Sequence, residues 1–386
     1  MGAASGGHPV TSPLRIALVH PFAWPEVRRG GERYLDDLAW YLAKAGHHVE
    51  VITGTPGSSH DTARDGVVER RRRNVVPERL RRRAVSPVDT FGVAALVPLL
   101  SRRYDVVHAL TPTAAMAARI AGQRTLYTVL GHPTPEQFGR RPFDRQLVAA
   151  AVRAASAVTT LSRASAAQVE AMFGRRPDVL TPGVRTDRFP PKAETVTGPP
   201  RVLFPGDAAD SRKGISLALQ AMVTLAERRP DVRLVLAGPG DHRWAVARLG
   251  DLGARAERLT DVVGAGAPDD VPVRYRQATV TVLPSRHEAF GLALVESLAS
   301  GTPVVCSDDG GMPEVVDDPS VGRVFAPREA GPLADALDAA IELAADPLTA
   351  ARCSAHARRW GWEASVGPAH EERYRALVAR RRAIPI

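Results

Sequence analysis

Leu14-Arg-Ile-Ala-Leu-Val-His20 has the apolar character of a buried strand, and Gly30-Gly31-Glu32 then opens a helical repeat of Tyr34, Leu38, Tyr41 and Leu42 that stops at Gly46. His48-Val-Glu-Val-Ile-Thr53 reads as the next strand. Two strands joined by a helix run parallel, because a crossover of that kind returns the chain to the end of the sheet where it began. The order restarts in the second half: strand Arg201-Val-Leu-Phe-Pro205, polar loop Gly206 to Gly214, helix Ile215 to Arg229, strand Val232 to Ala237. The expected fold class is therefore α/β, in two similar halves that share architecture rather than residues. With 386 residues, each half has room for its own core.

Between these units lie further strand patterns at Asp105 to Ala109, Thr125 to Val129 and Ala157 to Leu161, with helices over Thr113 to Gly122 and Arg145 to Ala155. Ser162 is placed to cap a helix running to Phe173, and Asp178-Val-Leu is a short strand. Leu130-Gly-His-Pro-Thr134 follows a strand, so His132 stands where open α/β sheets bind ligands. His108, buried by pattern, competes with it, and His20 is similarly placed after the first strand. The expected organisation is a disordered leader over 1–13 and a first domain over 14–190. A proline-rich linker over 191–200 and a second domain over 201–362 follow, with a last helix, about 363–386, belonging to the first domain.

One stretch holds the densest chemistry. Ala278 to Leu283 alternates like a strand, Pro284-Ser285 turns, and Leu292, Val295, Leu298 and Ala299 share one face of a helix. A helix start after a polar loop offers backbone N–H groups to an anion, and Gly291 lets that anion come close. Glu288 lies in the loop and Glu296 in the helix, where a carboxylate can accept from two vicinal hydroxyls. Solvent-facing acids at a helix start are the plainer alternative. Lys213, after a glycine loop, is a point charge on a flexible stem suited to a diphosphate.

Glu288-x7-Glu296 around Phe290-Gly-Leu, followed by Ala-Ser-Gly-Thr-Pro-Val-Val and by Gly310-Gly-Met-Pro-Glu-Val-Val316, resembles the signature of the family-4 retaining glycosyltransferases. Pro182-Gly-Val-Arg-Thr-Asp-Arg-Phe189 resembles that family's segment at the end of the first domain, and the helix after Trp360-Gly-Trp362 its terminal crossing helix. The resemblance implies the GT-B fold, two Rossmann-like domains facing across a cleft. It implies transfer of a sugar from a nucleotide-diphosphate donor to a hydroxyl of a natural product or metabolite, without metal and without a cofactor. The same resemblance implies that Glu288 and His132 face the donor sugar and that Glu296 holds the ribose. Phe290, Gly291 and Leu292 would offer amides to the diphosphate, Lys213 its charge, and Gly30 and Gly31 a loop closing over it. Ala265 to Asp269 would meet the base. His132 fits after a one-residue shift around Gly131, and Glu32 follows the glycine pair one residue earlier than usual. Asp207 stands where the family has arginine: either Arg212 substitutes, or the donor differs, or Asp207 points away. A catalytically impaired nucleotide-sugar-binding protein is the alternative that Asp207 raises.

Composition narrows the rest. The net charge is +9, concentrated in Glu69-Arg-Arg-Arg-Arg73 and Arg79 to Arg83. No aromatic residues interleave there, so nucleic acid is not expected. A solvated basic loop or a contact of Arg70 to Arg83 with an anionic membrane remain open, the latter implying a lipid or polysaccharide acceptor. No run of about 18 apolar residues occurs. Cys306 and Cys353 make neither a zinc site nor a disulfide framework and suit a reducing cytoplasm. Asp269-Asp270 and Asp308-Asp309 read as loop acids, so no metal site is expected.

Overall fold

The structure, a computed structural model, describes residues 12–77, 86–139, 142–326 and 328–379. The strands of the first half are β1 (Arg15–Val19), β2 (His48–Thr55), β3 (His60–Arg64), β4 (Val67–Arg73), β5 (Val106–Ala109), β6 (Thr125–Val129), β7 (Ala157–Thr160) and β8 (Asp178–Val179). They form one sheet in the order β3-β4-β2-β1-β5-β6-β7-β8. Every pair is parallel except β3 with β4. The second half contributes β9 (Arg201–Phe204), β10 (Arg233–Leu236), β11 (Thr260–Val262), β12 (Val280–Leu283), β13 (Val304–Ser307) and β14 (Gly322–Phe325). Its order, β11-β10-β9-β12-β13-β14, is parallel throughout.

Both sheets are doubly wound. β5, β6, β7, β12 and β13 are buried along their whole length, as strands covered by helices on both faces must be. The strand order reverses between β1 and β5 in one sheet and between β9 and β12 in the other. Loops that leave the carboxyl ends of strands at such a reversal diverge and open a crevice. His132 leaves β6, Lys213 follows β9, and Glu288 follows β12.

The two halves share a core, and the chain's end ties them together. Phe290 packs edge-on to Trp360 at 6.1 Å between ring centres. Trp362 stacks on Tyr34 and Tyr41 of the first half, each 6.1 Å away. The helix Gly367–Ala379 then lies on that half, as the crossing-helix expectation requires. Tyr34 Oη is 2.7 Å from His370 Nε2, and Tyr41 Oη donates to Glu371 at 2.7 Å. Residues 380–386, and all but the last two of the leader, lie outside the described residues. The proline-rich segment also packs back: Lys192 donates its N–H to Ser300 O and its ammonium to Ala278 O, at 3.0 and 3.1 Å.

One feature differs from the expectations, and one element has no expectation to meet. The run Arg70 to Arg73 is not a loop but part of β4, and Arg70, Arg71 and Arg72 are paired within the protein. Arg70 reaches Glu50 on β2 at 2.5 Å and also Asp61, its directly opposed residue on β3. Arg71 bonds Glu26 and Glu69, and Arg72 bonds Asp61, at 2.6, 3.0 and 2.7 Å. Carboxylates on β2, on β3, on β4 itself and in the loop after β1 neutralise what looks, in one dimension, like an unpaired basic run. Arg79 to Arg83 lie outside the described residues. The helix Pro87–Ser101, a stretch for which the sequence predicts no element, begins with a reciprocal capping pair of Ser86 and Asp89. It buries Phe91, Ala95 and Leu99 and leaves Val93, Val97 and Leu100 exposed, so no polar face marks its period.

Candidate active site

The cleft is built by loops at the carboxyl ends of both sheets. After β9 the chain makes a short 3₁₀ turn, Ser211–Lys213, and Gly214 adopts φ +80°. A Cβ on Gly214 would lie 2.1 Å from Pro284 O, so only glycine lets this loop sit against the one leaving β12. Arg286 N donates to Arg212 O at 2.7 Å and fastens the two together. The result places the Lys213 ammonium 2.6 Å from Glu288 Oε2, each side chain about one quarter exposed. The charged pair thus stands at the switch point itself.

Gly310 and Gly311 back the Glu288 loop. Gly311 N donates to Glu288 O at 2.9 Å, and a Cβ on Gly310 would lie 2.0 Å from that oxygen. Gly291, at φ +94°, precedes the helix Leu292–Ala299, and no side chain caps that helix start. Leu294 N donates to Gly291 O at 2.9 Å, so the N–H groups of Leu292 and Ala293 are the ones left for a ligand or water. The Phe290 ring is buried and contributes to packing, so only its backbone can serve the cleft.

Glu296 is buried in the same helix. Its Oε2 accepts from Tyr275 Oη at 3.1 Å, and its Oε1 lies 3.6 Å from Arg33 Nη1 of the first half. Burial pushes its carboxyl pKa up, while Arg33 and the Tyr275 hydroxyl pull it back. Arg33 belongs to the helix Gly30–Lys44, whose start, Gly30-Gly31, carries no side-chain cap. A Cβ on Gly31 would sit 3.1 Å from Leu130, so this glycine start packs beside the His132 loop.

His132 Nδ1 is 3.1 Å from Ser165 Oγ, which donates to Ala289 O at 3.4 Å. Burial lowers the imidazole's pKa, Asp309 opposing and His287 reinforcing. The His132 ring faces His287 in parallel planes, 6.5 Å between centres, one ring from each half. His287 has φ +56°, a conformation that a non-glycine residue adopts at a cost, held here by its N–H donating to Asp309 at 2.6 Å. His108 is instead a core residue, bonded to Tyr374 Oη and Thr128 Oγ1 at 2.8 and 2.6 Å. His20 is buried too, with Nδ1 3.0 Å from Phe22 O.

Asp207 turns onto its own backbone. Its Oδ1 accepts from Ala209 N at 2.9 Å and lies against Gly240. Arg212 bonds Asp210 at 2.6 Å and is exposed, while Lys213 faces Glu288. The Asp207 carboxylate is thus engaged within its own turn, on the Gly240 side. Arg28 reaches Gly266 O, joining the first half to the loop after β11. Glu314 accepts from Arg163 N and Ala164 N at 3.1 and 2.8 Å, capping a first-half helix from the second half. Arg33, Tyr275 and His287 were not singled out in the sequence. Arg33, two residues after the glycine pair, and His287, directly before Glu288, had local signals; Tyr275 had none. Among the described residues no group of three or more His, Cys, Asp or Glu could hold a metal ion, and no helix is long and apolar enough to cross a membrane.

Residues 186–360 match the family described as glycosyl transferases group 1, and residues 28–188 match glycosyltransferase family 4. D-inositol 3-phosphate glycosyltransferase of Acidothermus cellulolyticus is 30% identical, over 94% of this chain and 90% of that protein. The enzyme of the same name from Streptomyces avermitilis is also 30% identical, over 65% of this chain and 58% of that protein. In structure the chain is similar to sucrose-phosphate synthase from Thermosynechococcus elongatus, with TM-score 0.78, 23% identity and 95% and 99% of the two chains covered. It is also similar to Anabaena Alr3699/HepE in complex with UDP and glucose, with TM-score 0.71, 20% identity and 94% and 99% covered.

Proposed function

The chain belongs to the family-4 glycosyltransferases, and on that premise we propose that it moves a sugar from a nucleotide-diphosphate donor to a hydroxyl of a natural product or metabolite, with retention at the anomeric carbon. The observation that carries this reading is the Lys213–Glu288 pair at the switch point, beside the uncapped helix start at Gly291. Lys213 neutralises the charge that grows on the departing diphosphate, together with the N–H groups of the helix start. Glu288, released from Lys213 by that anion, accepts from donor-sugar hydroxyls. His132, its pKa lowered by burial, meets the sugar as a neutral ring. Glu296 takes the ribose hydroxyls, and the loop opened by Gly30 and Gly31 closes over the phosphates. Arg212, bonded to Asp210, lies at the rim, where a diphosphate could draw it in.

The donor side is supported by the UDP and glucose bound in the Anabaena neighbour, and a polar acceptor by the relatives that are named for inositol phosphate. The buried free thiols of Cys306 and Cys353 accord with a reducing, cytoplasmic setting. A thermal-shift panel of nucleoside diphosphates and nucleotide sugars, without acceptor, tests the reading. A ligand at about a hundred times its dissociation constant stabilises the fold by roughly 2.7 kcal/mol. A shift selective for one base supports the reading and names the donor nucleotide; no shift with any removes it.

A second reading, a lipid acceptor at an anionic membrane, is favoured by the exposed Val93, Val97 and Leu100 on the helix Pro87–Ser101, which leads into Arg102 and Arg103. Co-sedimentation with anionic vesicles that is lost in Val93→Asp/Val97→Asp would support it. No binding to vesicles would remove it.

A further inference from the structure

Glu296 is the residue to which the ribose role was given, yet its nearest cation comes from the other half of the protein. Arg33 Nη1 lies 3.6 Å from Glu296 Oε1, with 7% of the arginine side chain and 10% of the glutamate side chain exposed. Buried charges must be paired, because desolvation costs each of them several kcal/mol. The Arg33 guanidinium is itself held in place, 4.3 Å from the centre of the Trp24 ring and 5.6 Å from that of Phe189. Its Nε has no hydrogen-bond partner, and neither has Oδ1 of Asp37, one turn further along the same helix and 2% exposed. One arginine thus serves two buried carboxylates, one from each half.

We propose that Arg33 is a positioning residue for nucleotide binding: it holds the Glu296 carboxylate across the cleft, so that the ribose site is complete only when the two halves are together. The inference rests on the ribose role of Glu296 proposed above and extends it to the opposite domain. A carboxylate accepts from both hydroxyls of a vicinal diol, whereas a protonated carboxyl must spend one oxygen as a donor. Arg33 therefore does for Glu296 what water does for an exposed acid.

The groups around Glu296 are few. Arg33 and Asp37 face it from the helix Gly30–Lys44, and Tyr275 from the helix Asp270–Gln277. Asp36 and Arg188 act on Asp37. From the helix Thr349–Ala357, Cys353 points at Val321 O, Arg352 at Asp346 and His356 at Val315 O. Cys306 on β13 is buried, which pushes its thiol pKa up and keeps it neutral. Burial likewise pushes Asp37 up to about 7, against the pull of Arg33. Removing Arg33 leaves Glu296 with no cation and Asp37 with Arg188 alone, and both carboxyl groups then hold their protons to higher pH.

The test is calorimetric titration with UDP, GDP and ADP at several pH values, on wild type, Arg33→Met, Arg33→Lys and Glu296→Gln. At neutral pH, Arg33→Met should bind the preferred nucleotide on the order of tenfold more weakly, the scale of one charge-assisted contact, and regain affinity as pH rises. Arg33→Lys should keep most of the affinity, and Glu296→Gln should lose it equally at every pH. A loss in Arg33→Met that is the same at every pH would mean packing alone and would overturn the proposal, as would wild-type affinity.

A ligand-free arm keeps the two readings apart. Burial already holds the folded-state pKa of Glu296 above its unfolded value, and without Arg33 it rises further, so Arg33→Met loses more stability than wild type as pH rises above the ordinary carboxylate range. Arg33→Met/Glu296→Gln should keep only the part of that slope that Asp37 contributes. If wild type binds none of the three nucleotides, the donor reading falls, and this comparison still decides whether Arg33 governs Glu296. Identical slopes for the single and double variants would overturn the proposal. Arg33→Gln serves where the methionine variant does not fold.

Discussion

The Lys213 ammonium donates to Glu288 Oε2 at 2.6 Å, joining the loop after β9 to the loop after β12. That cation and the acid expected to meet the sugar therefore occupy each other in the unliganded cleft. On the proposed reading a diphosphate would compete with Glu288 for Lys213 and a sugar with Lys213 for Glu288, so donor binding would trade one ion pair for two ligand contacts.

Lys213→Ala should lower turnover by about two to three orders of magnitude, the scale of removing one preorganised charge from a leaving group. Release of nucleoside diphosphate from the preferred donor measures it. Glu288→Gln keeps the shape but frees Lys213. Its expected signature is unchanged or tighter nucleoside diphosphate binding together with slower turnover. A variant pair that loses binding and turnover in parallel would contradict the division of roles.

Gly310→Ala tests the backing of that loop. The added methyl would lie 2.0 Å from Glu288 O, at a residue with φ +60°. Strain at such a position costs on the order of 1–3 kcal/mol, and here it is released by moving the carbonyl of Glu288. The variant should fold with a lowered melting temperature and turn over far more slowly than that loss of stability explains. Wild-type turnover would mean that the Glu288 loop tolerates displacement.

Much of the fold was legible because its signals are local. Parallel strands buried on both faces read as apolar runs, glycines mark their ends, and Ser162 caps its helix, accepting from Ser165 N at 3.1 Å, as its position suggests. Pairing across the sheet is not local. The arginines of β4 looked like a free basic run because Glu50 and Asp61 lie on other strands, and the helix Pro87–Ser101 has no polar face to betray its period. The same limit hid part of the site. Lys213, Glu288 and Glu296 lie within motifs, whereas Arg33 and His287 matter through what faces them from the opposite half.

The terminal helix predicts a pH dependence. His370 is fully buried, bonded to Tyr34 Oη and near Val366 O, and burial lowers its pKa from 6.5 to about 4. The unfolded chain binds this proton more readily, so the stability it contributes is complete above about pH 6.5 and is lost as pH falls toward 4, on the order of 3 kcal/mol. His108, also buried and lowered, acts in the same direction. Urea unfolding across that range should show stability falling with pH. A flat profile would mean that the two imidazoles find charge-accepting partners.

Trp362→Ala removes the ring stacked on Tyr34 and Tyr41 and should cost about 3–5 kcal/mol, as large aromatic truncations in a core do. Because Gly183 lies so close to this ring that its Cβ would meet it at 2.8 Å, the cavity would open between the two halves. Limited proteolysis should then cut before the helix Gly367–Ala379 sooner than in wild type. Unchanged cleavage would place the docking energy in the Tyr34–His370 and Tyr374–His108 contacts instead.

The central claim is that a nucleotide diphosphate sits over Lys213 with its ribose on Glu296. A crystal structure of the protein with the nucleoside diphosphate that it binds most tightly tests this most directly. The account predicts the diphosphate within hydrogen-bonding reach of Lys213 Nζ and of the N–H groups after Gly291, Lys213 drawn off Glu288, and both ribose hydroxyls on Glu296. A nucleotide bound elsewhere, with Lys213 still on Glu288, would contradict it.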